Sequence, residues 1–224
     1  MSPSGTDSAA GTSSAPTTLT SAIGRVTAGG TIYLRGGTYN HTSTITIPQT
    51  NNGTSSARTT LSAYPGETPV LNFSAQSESS SNRGLQLFGS YWRVLGVVVE
   101  RAGDNGIYVG GSHNIIERTI TRYNRDTGLQ LGRIASSTAT ADWPSDNLIL
   151  SAESHDNADS DGEDADASPR SSPPAPGTSS GTRCRTTTST TAGTSTPRPT
   201  PARSARSPSR TPSPTTTAPS PTAP

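Results

Sequence analysis

The tightest constraint on what this chain can fold into is a short internal repeat. Trp92-Arg-Val-Leu-Gly-Val-Val-Val is answered 22 residues later by Asn114-Ile-Ile-Glu-Arg-Thr-Ile-Thr. Asp104-Asn-Gly106-Ile-Tyr-Val is echoed by Asp126-Thr-Gly128-Leu-Gln-Leu at the same spacing, and a third unit opens at Asn147-Leu-Ile-Leu after an insertion over residues 134–146. A period of about 22 residues with three short strands per unit predicts an all-β solenoid, a parallel β-helix whose coils stack inward Val, Ile and Leu on one another.

The residues before the repeat fit the same architecture. Residues 31–39 read TIYLRGGTY, residues 43–48 STITIP, residues 59–64 TTLSAY, and residues 69–73 a further apolar run. Each is a short segment of period two bounded by Gly, Pro or Asn, which is a strand signal. Only residues 17–26 predict a helix, with Leu19, Ile23 and Val26 near helical spacing. Such a helix would cap the open end of the solenoid, where bare strand edges would otherwise recruit other chains.

Composition divides the chain sharply after Asp166. Residues 1–166 hold all 16 acidic residues and 10 of the 17 basic ones, a net charge of −6. Residues 167–224 use only Ala, Ser, Pro, Thr, Gly, Arg and Cys, with seven Arg and no acid. The first segment is long enough for one domain. The second cannot bury apolar surface and is expected to be disordered. Its Arg residues are dispersed among Pro and Ser without aromatic residues, which excludes a nucleic-acid arm. The lone Cys184 excludes a disulfide framework and a Cys metal site. No apolar run approaches the length of a membrane span. No secretory leader precedes the body, and one is expected to be missing upstream.

The tail's seven residue types share a coding property: each can carry C or G at the middle codon base. All 17 basic residues are Arg, in keeping with a GC-rich gene. A one-base slip in such a gene moves third-position C and G into the middle. Reading residues 186–200 one base earlier permits NNVDDGWDLYTKTD, and residues 167–173 permit GFAAKLT. The tail is therefore expected to be the translation of a shifted frame. The competing reading is a genuine Ser/Thr/Pro-rich stalk.

With those motifs in view, the chain resembles a family. The stretch SPSGTD…SAIGRV…GGTIYLRGGTY resembles the N-terminal cap and first coil of secreted right-handed β-helix polysaccharide-active enzymes. SHDNADSDGEDAD, followed in the shifted frame by GFAAKLT and DDGWD, resembles polysaccharide lyase family nine, the pectate lyase and exopolygalacturonate lyase group. The resemblance implies a secreted, monomeric enzyme that cleaves pectate or polygalacturonate by β-elimination, with calcium as cofactor and no nucleic-acid or membrane partner. In that family calcium is held by an Asp before GFA and by the Asp residues of DDGWD, and a Lys is the base. Carried over residue by residue, only Asp166 matches a ligand position. Thr190, Thr191 and Thr194 stand where the DDGWD ligands would fall, and the chain contains no Lys. The polypeptide as translated is expected to be inactive.

The remaining candidates are read from the residues. Seven acids fall between Glu153 and Asp166, of which Asp159, Asp161 and Asp164 are further metal-ligand candidates beside Asp166. An EF-hand register would start at Asn157 and place Ser168, not Glu, at its twelfth position, with no flanking helices. Trp143, in the insertion, is a candidate sugar platform and His155 a candidate sugar contact, while Trp92 opens a strand and reads as packing. Two alternative functions stay open. One is a non-catalytic carbohydrate-binding or adhesion module on a flexible stalk. The other is a β-helix glycoside hydrolase using Asp104 and Asp126, which sit on equivalent turns and would be stacked neighbours.

Overall fold

A computed structural model describes residues 1–160. One helix precedes fourteen short strands. Helix α1 spans Leu19–Arg25, starts at a Thr18 cap whose hydroxyl accepts from the Ser21 amide at 3.2 Å, and buries Leu19, Ala22 and Ile23. It packs on β1 and β3, covering the interior of the first coil as the sequence predicts.

The strands form three parallel sheets, each taking one strand per coil. The first sheet contains β1 (Thr31–Leu34), β4 (Thr59–Ala63), β7 (Trp92–Leu95), β10 (Ile115–Glu117) and β13 (Leu148–Leu150). The second contains β2 (Gly37–Asn40), β5 (Pro69–Asn72), β8 (Val98–Glu100), β11 (Ile120–Arg122) and β14 (Glu153–His155). The third contains β3 (Ile45–Ile47), β6 (Leu85–Leu87), β9 (Ile107–Val109) and β12 (Leu129–Leu131). Successive strands in the chain thus lie in different sheets, and each pairs with its counterpart one coil away. This is a parallel β-helix.

Registry puts like residues over like in the interior. Ile32, Leu61, Val94, Ile116 and Ile149 form one inward column. Ile45, Leu85, Ile107 and Leu129 form another, with Ile47, Leu87, Val109 and Leu131 beside it. All are buried, and burying each such side chain contributes about 1.5–3 kcal/mol. No coil could bury these side chains alone, so stacking itself carries the fold.

The 22-residue spacing holds between the third and fourth coils, and the structure adds the spacing of the other coils. The inward column steps from Ile32 to Leu61, Val94, Ile116 and Ile149, which is 29, 33, 22 and 33 residues. Only the third and fourth coils repeat at 22, because their corners are tight; the others carry longer loops at one corner.

Those corners are built on left-handed residues that are not glycine. Tyr91, His113 and Asp146 have φ of 58°, 59° and 53°, and Arg101, Tyr123 and Asp156 have φ of 61°, 58° and 56°. Each triplet occupies one corner in successive coils. The conformation is costly for such side chains. It is held because the amides of Tyr91, Arg101 and Tyr123 donate to carbonyls one coil on, those of Ser112, Arg122 and Asp156.

Immediately after each corner runs an asparagine ladder. Asn114 Oδ1 accepts from the Trp92 amide at 2.8 Å, and Asn147 Oδ1 from the Asn114 amide at 2.9 Å. At the other corner Asn124 Oδ1 accepts from the Ala102 amide and Asn157 Oδ1 from the Asn124 amide, both at 3.0 Å. All four asparagines are buried, and each satisfies backbone donors that the bend removes from the sheet ladder.

Candidate functional site

The corner joining the second sheet to the third gathers Asp104, Asp126 and Asp159. Asp104 and Asp126 each stand three residues before a pair of strands that are in register at Ile107 and Leu129, so their carboxyls face each other across adjacent coils. Asp159 follows Asn157 as Asp126 follows Asn124, which places it at the same corner of the next coil. Burial lifts the Asp104 carboxyl to about 6; the Asn105 amide opposes the shift, the Asp126 charge adds to it, and Arg83 opposes it.

Arg83 organises this corner. Its Nε lies 3.4 Å from Asp104 Oδ2, its Nη1 donates to Gln86 Oε1 at 3.1 Å, and its guanidinium carbon sits 3.6 Å from the centroid of the Tyr108 ring. Tyr108 donates its hydroxyl to the Arg133 carbonyl at 2.7 Å, and burial raises its pKa. Thr46, Gln86, Tyr108 and Gln130 form the outward row of the third sheet. Asp104 is only 8% exposed and is engaged by Arg83 and Asp126, so it presents no open carboxyl to a glycosidic oxygen. The pair reads as a structural turn rather than as hydrolase machinery.

The acidic turn is partly described. His155 Nδ1 pairs with Asp156 Oδ2 at 2.7 Å and its Nε2 lies 3.8 Å from Glu153 Oε1. The ring stands edge-on to Tyr123. Asn157 is 1% exposed, and its Oδ1 accepts from both nitrogens of Asn124. Its side chain belongs to the interior ladder, which removes the EF-hand register. Asp161, Asp164 and Asp166 lie outside the described residues. Among the described residues no group of three or more His, Cys, Asp or Glu side chains is arranged to hold a metal ion. They do not by themselves fit calcium.

A feature with no sequence signal ties this turn down. The twelve-residue connection 73–84 of the second coil folds across the third and fourth coils. Its Glu78 accepts from Arg125 at 3.0 Å and from the Ser160 hydroxyl and amide at 2.8 and 3.2 Å. In sequence Glu78 is one acid in a serine run. Only the stacking of coils brings it beside residue 160.

Trp143 and His155 are not brought together. Trp143 lies in the long connection between the third and first sheets, half-buried, with its indole N–H donating to the Thr138 carbonyl at 3.2 Å. His155 lies on the second sheet. Trp92 is fully buried and donates its indole N–H to the Asn51 carbonyl at 2.7 Å, so it is core. Tyr91 stacks on His113 at 4.6 Å. Tyr123 is 44% exposed, with the Arg101 and Arg122 guanidiniums 5.3 and 5.6 Å from its ring centroid.

The family model for the Pel9A-like, right handed beta helix region matches residues 1–179. This chain belongs to the Pel9A-like right-handed β-helix family. A crystal structure of pectate lyase Pel9A superposes with a TM-score of 0.61 at 32% identity, over 71% of this chain and 39% of that one. Pectate lyase L of Paenibacillus polymyxa (strain SC2) is 57% identical over 149 residues, 66% of this chain and 33% of that protein. Pectate lyase L of Thermoclostridium stercorarium is 39% identical over 168 residues, 74% and 13% respectively. Pectate lyase PEL9 of Emericella nidulans is 36% identical over 181 residues, 74% and 41%. The chain therefore spans well under half the length of these Pel9A-like relatives. The expected family and fold are both found: the coils of this Pel9A-like chain are those of a right-handed parallel β-helix with a short helical cap.

Proposed function

We propose that residues 1–166 are the N-terminal coils of a pectate lyase, and that residues 167–224 are the translation of a shifted frame. The carrying observation is the 57% identity to a pectate lyase over 149 residues, supported by a family match that runs through the acidic turn to residue 179. The substrate is polygalacturonate, and the setting is extracellular, where that polymer is found.

The chemistry asks for three things. The C5 proton, beside the uronate carboxyl, must meet a base within hydrogen-bond reach. Charge on the developing enolate must be stabilised, and the sugar must be held in register. Calcium, when bound, would supply charge stabilisation. By resemblance it would be held by Asp166 with carboxylates that Thr190, Thr191 and Thr194 have replaced. Hydroxyls cannot replace carboxylate charge around calcium, and a chain without Lys lacks the family's base. What the described coils supply is the rigid platform: Glu78 and the Asn124–Asn157 ladder fix the start of the acidic turn against the coils before it.

The test is a paired assay of unsaturated uronate release from polygalacturonate with calcium. The chain as given releases none. The same chain continued after Asp166 in the frame one base earlier, to that frame's own stop, releases product, and chelation stops it. Turnover by the chain as given, or none by the restored one, overturns the proposal.

A further inference from the structure

Among the described residues the large apolar side chains most open to solvent are Tyr33, Tyr64 and Tyr123. They are not equivalent. Tyr33 and Tyr64 pack edge to face at 5.8 Å beside Arg35, whose Nε is held by both oxygens of Glu67 at 2.8 and 3.0 Å. That surface is electrically closed. Tyr123 is different. Arg101, one coil before it, is paired with no carboxylate among the described residues, and its guanidinium lies 5.3 Å from the Tyr123 ring centroid. Arg122, beside it, is committed to Glu100 at 2.8 Å, and that carboxylate also accepts from Asn72 at 2.7 Å. Asp156, at the same corner of the next coil, is paired with His155.

We infer that Tyr123 and Arg101 form a binding subsite for an anionic sugar, a uronate residue of a polysaccharide chain. The inference rests on the pectate-lyase reading and adds to it a location and a ligand-facing pair. The exposed ring offers a flat apolar face for the C–H side of a pyranose. The uncommitted guanidinium offers a planar, paired donor set for the carboxylate of the same or the next sugar. Left-handed backbone at both residues turns their side chains outward from one corner, and the stacking distance of about 4.8 Å between coils sets them side by side. Arg122 stays fixed to Glu100 with its guanidinium over the Tyr123 ring at 5.6 Å, and His155 stands edge-on to that ring. The subsite spans the same corner of the third and fourth coils, just before the coil of β14, so a bound chain would run along the helix axis.

The test is affinity electrophoresis of the full chain through gels containing polygalacturonate, with neutral galactan gels as the control for charge. The chain is retarded by polygalacturonate and not by galactan. Y123A and R101A each lower that retardation at least fivefold, R101K only partly restores it, and R35A leaves it unchanged. Circular dichroism confirms that each variant is folded. Retardation that is unchanged in Y123A and R101A overturns the subsite and leaves the lyase reading standing. Equal retardation by galactan overturns the uronate assignment. No retardation by either polymer overturns the subsite, and the product assay on the restored chain then decides the lyase reading separately.

Discussion

The Asn124 side-chain amide donates to Oδ1 of Asn157 at 2.8 Å, while its own Oδ1 accepts from the Ala102 amide at 3.0 Å. One buried residue thus joins three successive coils at the corner that faces the acidic turn.

Truncating it should be costly out of proportion to its size. Asn124→Ala leaves the Ala102 amide without its acceptor and strips Asn157 Oδ1 of one donor, in a site from which water is excluded. The expected loss is about 2–3 kcal/mol, read as a lower urea midpoint with unchanged slope. Asn40→Ala, at an exposed position, should shift the midpoint by less than about 0.5 kcal/mol.

The carboxyl of Asp104 predicts an inverted pH dependence. Its pKa is raised in the fold, to about 6, so the folded state holds a proton that the unfolded chain releases. The stabilisation is complete below the ordinary carboxylate value near 4 and is lost as pH rises through about 6. The Asp104 contribution should therefore fall between pH 4 and pH 7, against an opposite contribution from His41, whose pKa burial lowers. Asp104→Asn should remove the falling part and raise the midpoint at pH 7 relative to wild type. A wild-type midpoint that does not drop relative to that of Asp104→Asn across this window contradicts the assignment.

Gly111 is needed for close approach between coils. A Cβ there would stand 2.0 Å from the Gly89 carbonyl oxygen, and backbone cannot yield as a side chain can. Gly111→Ala should destabilise by about 1–3 kcal/mol, measured by the same urea titration.

The two tryptophans separate core from surface. Trp92→Ala removes a fully buried indole and its bond to Asn51, and should cost about 3–5 kcal/mol. Trp143→Ala, half-buried in a loop that bonds within itself, should cost about 1 kcal/mol. Differential scanning fluorimetry on both variants distinguishes them.

The parts of the fold that were legible are those set by side-chain periodicity. Ile45 and Ile47 alternate with Thr46, and Val94 recurs at Ile116, so strands, stacking and cap could be read from residue types. Coil length could not, because a β-helix tolerates a long loop at a corner as readily as a tight one; the step from Leu61 to Val94 differs from the step to Ile116 by eleven residues without disturbing the column. The corners were hidden for another reason. Left-handed backbone is usually announced by Gly or Asn, yet Tyr91, His113 and Tyr123 adopt it, held by amide bonds to the neighbouring coil. Asn114, Asn124, Asn147 and Asn157, each directly after such a residue, were the readable trace. At the site, Asp104 and Asp126 were placed together by spacing alone, whereas Glu78 and Arg83 reach their partners only through the third dimension.

A pectate-lyase reading frame is proposed to continue behind Asp166, one base away from the translated frame. The base sequence of the gene through the Asp166 and Ala167 codons, and several hundred bases beyond, tests it most directly. Restoring one base is expected to open a long frame encoding GFAAKLT, then DDGWD, then a downstream Lys. A frame that closes at once, with the Ser/Thr/Pro codons continuing to their own stop, contradicts it and makes the tail an authentic stalk on a β-helix binding module.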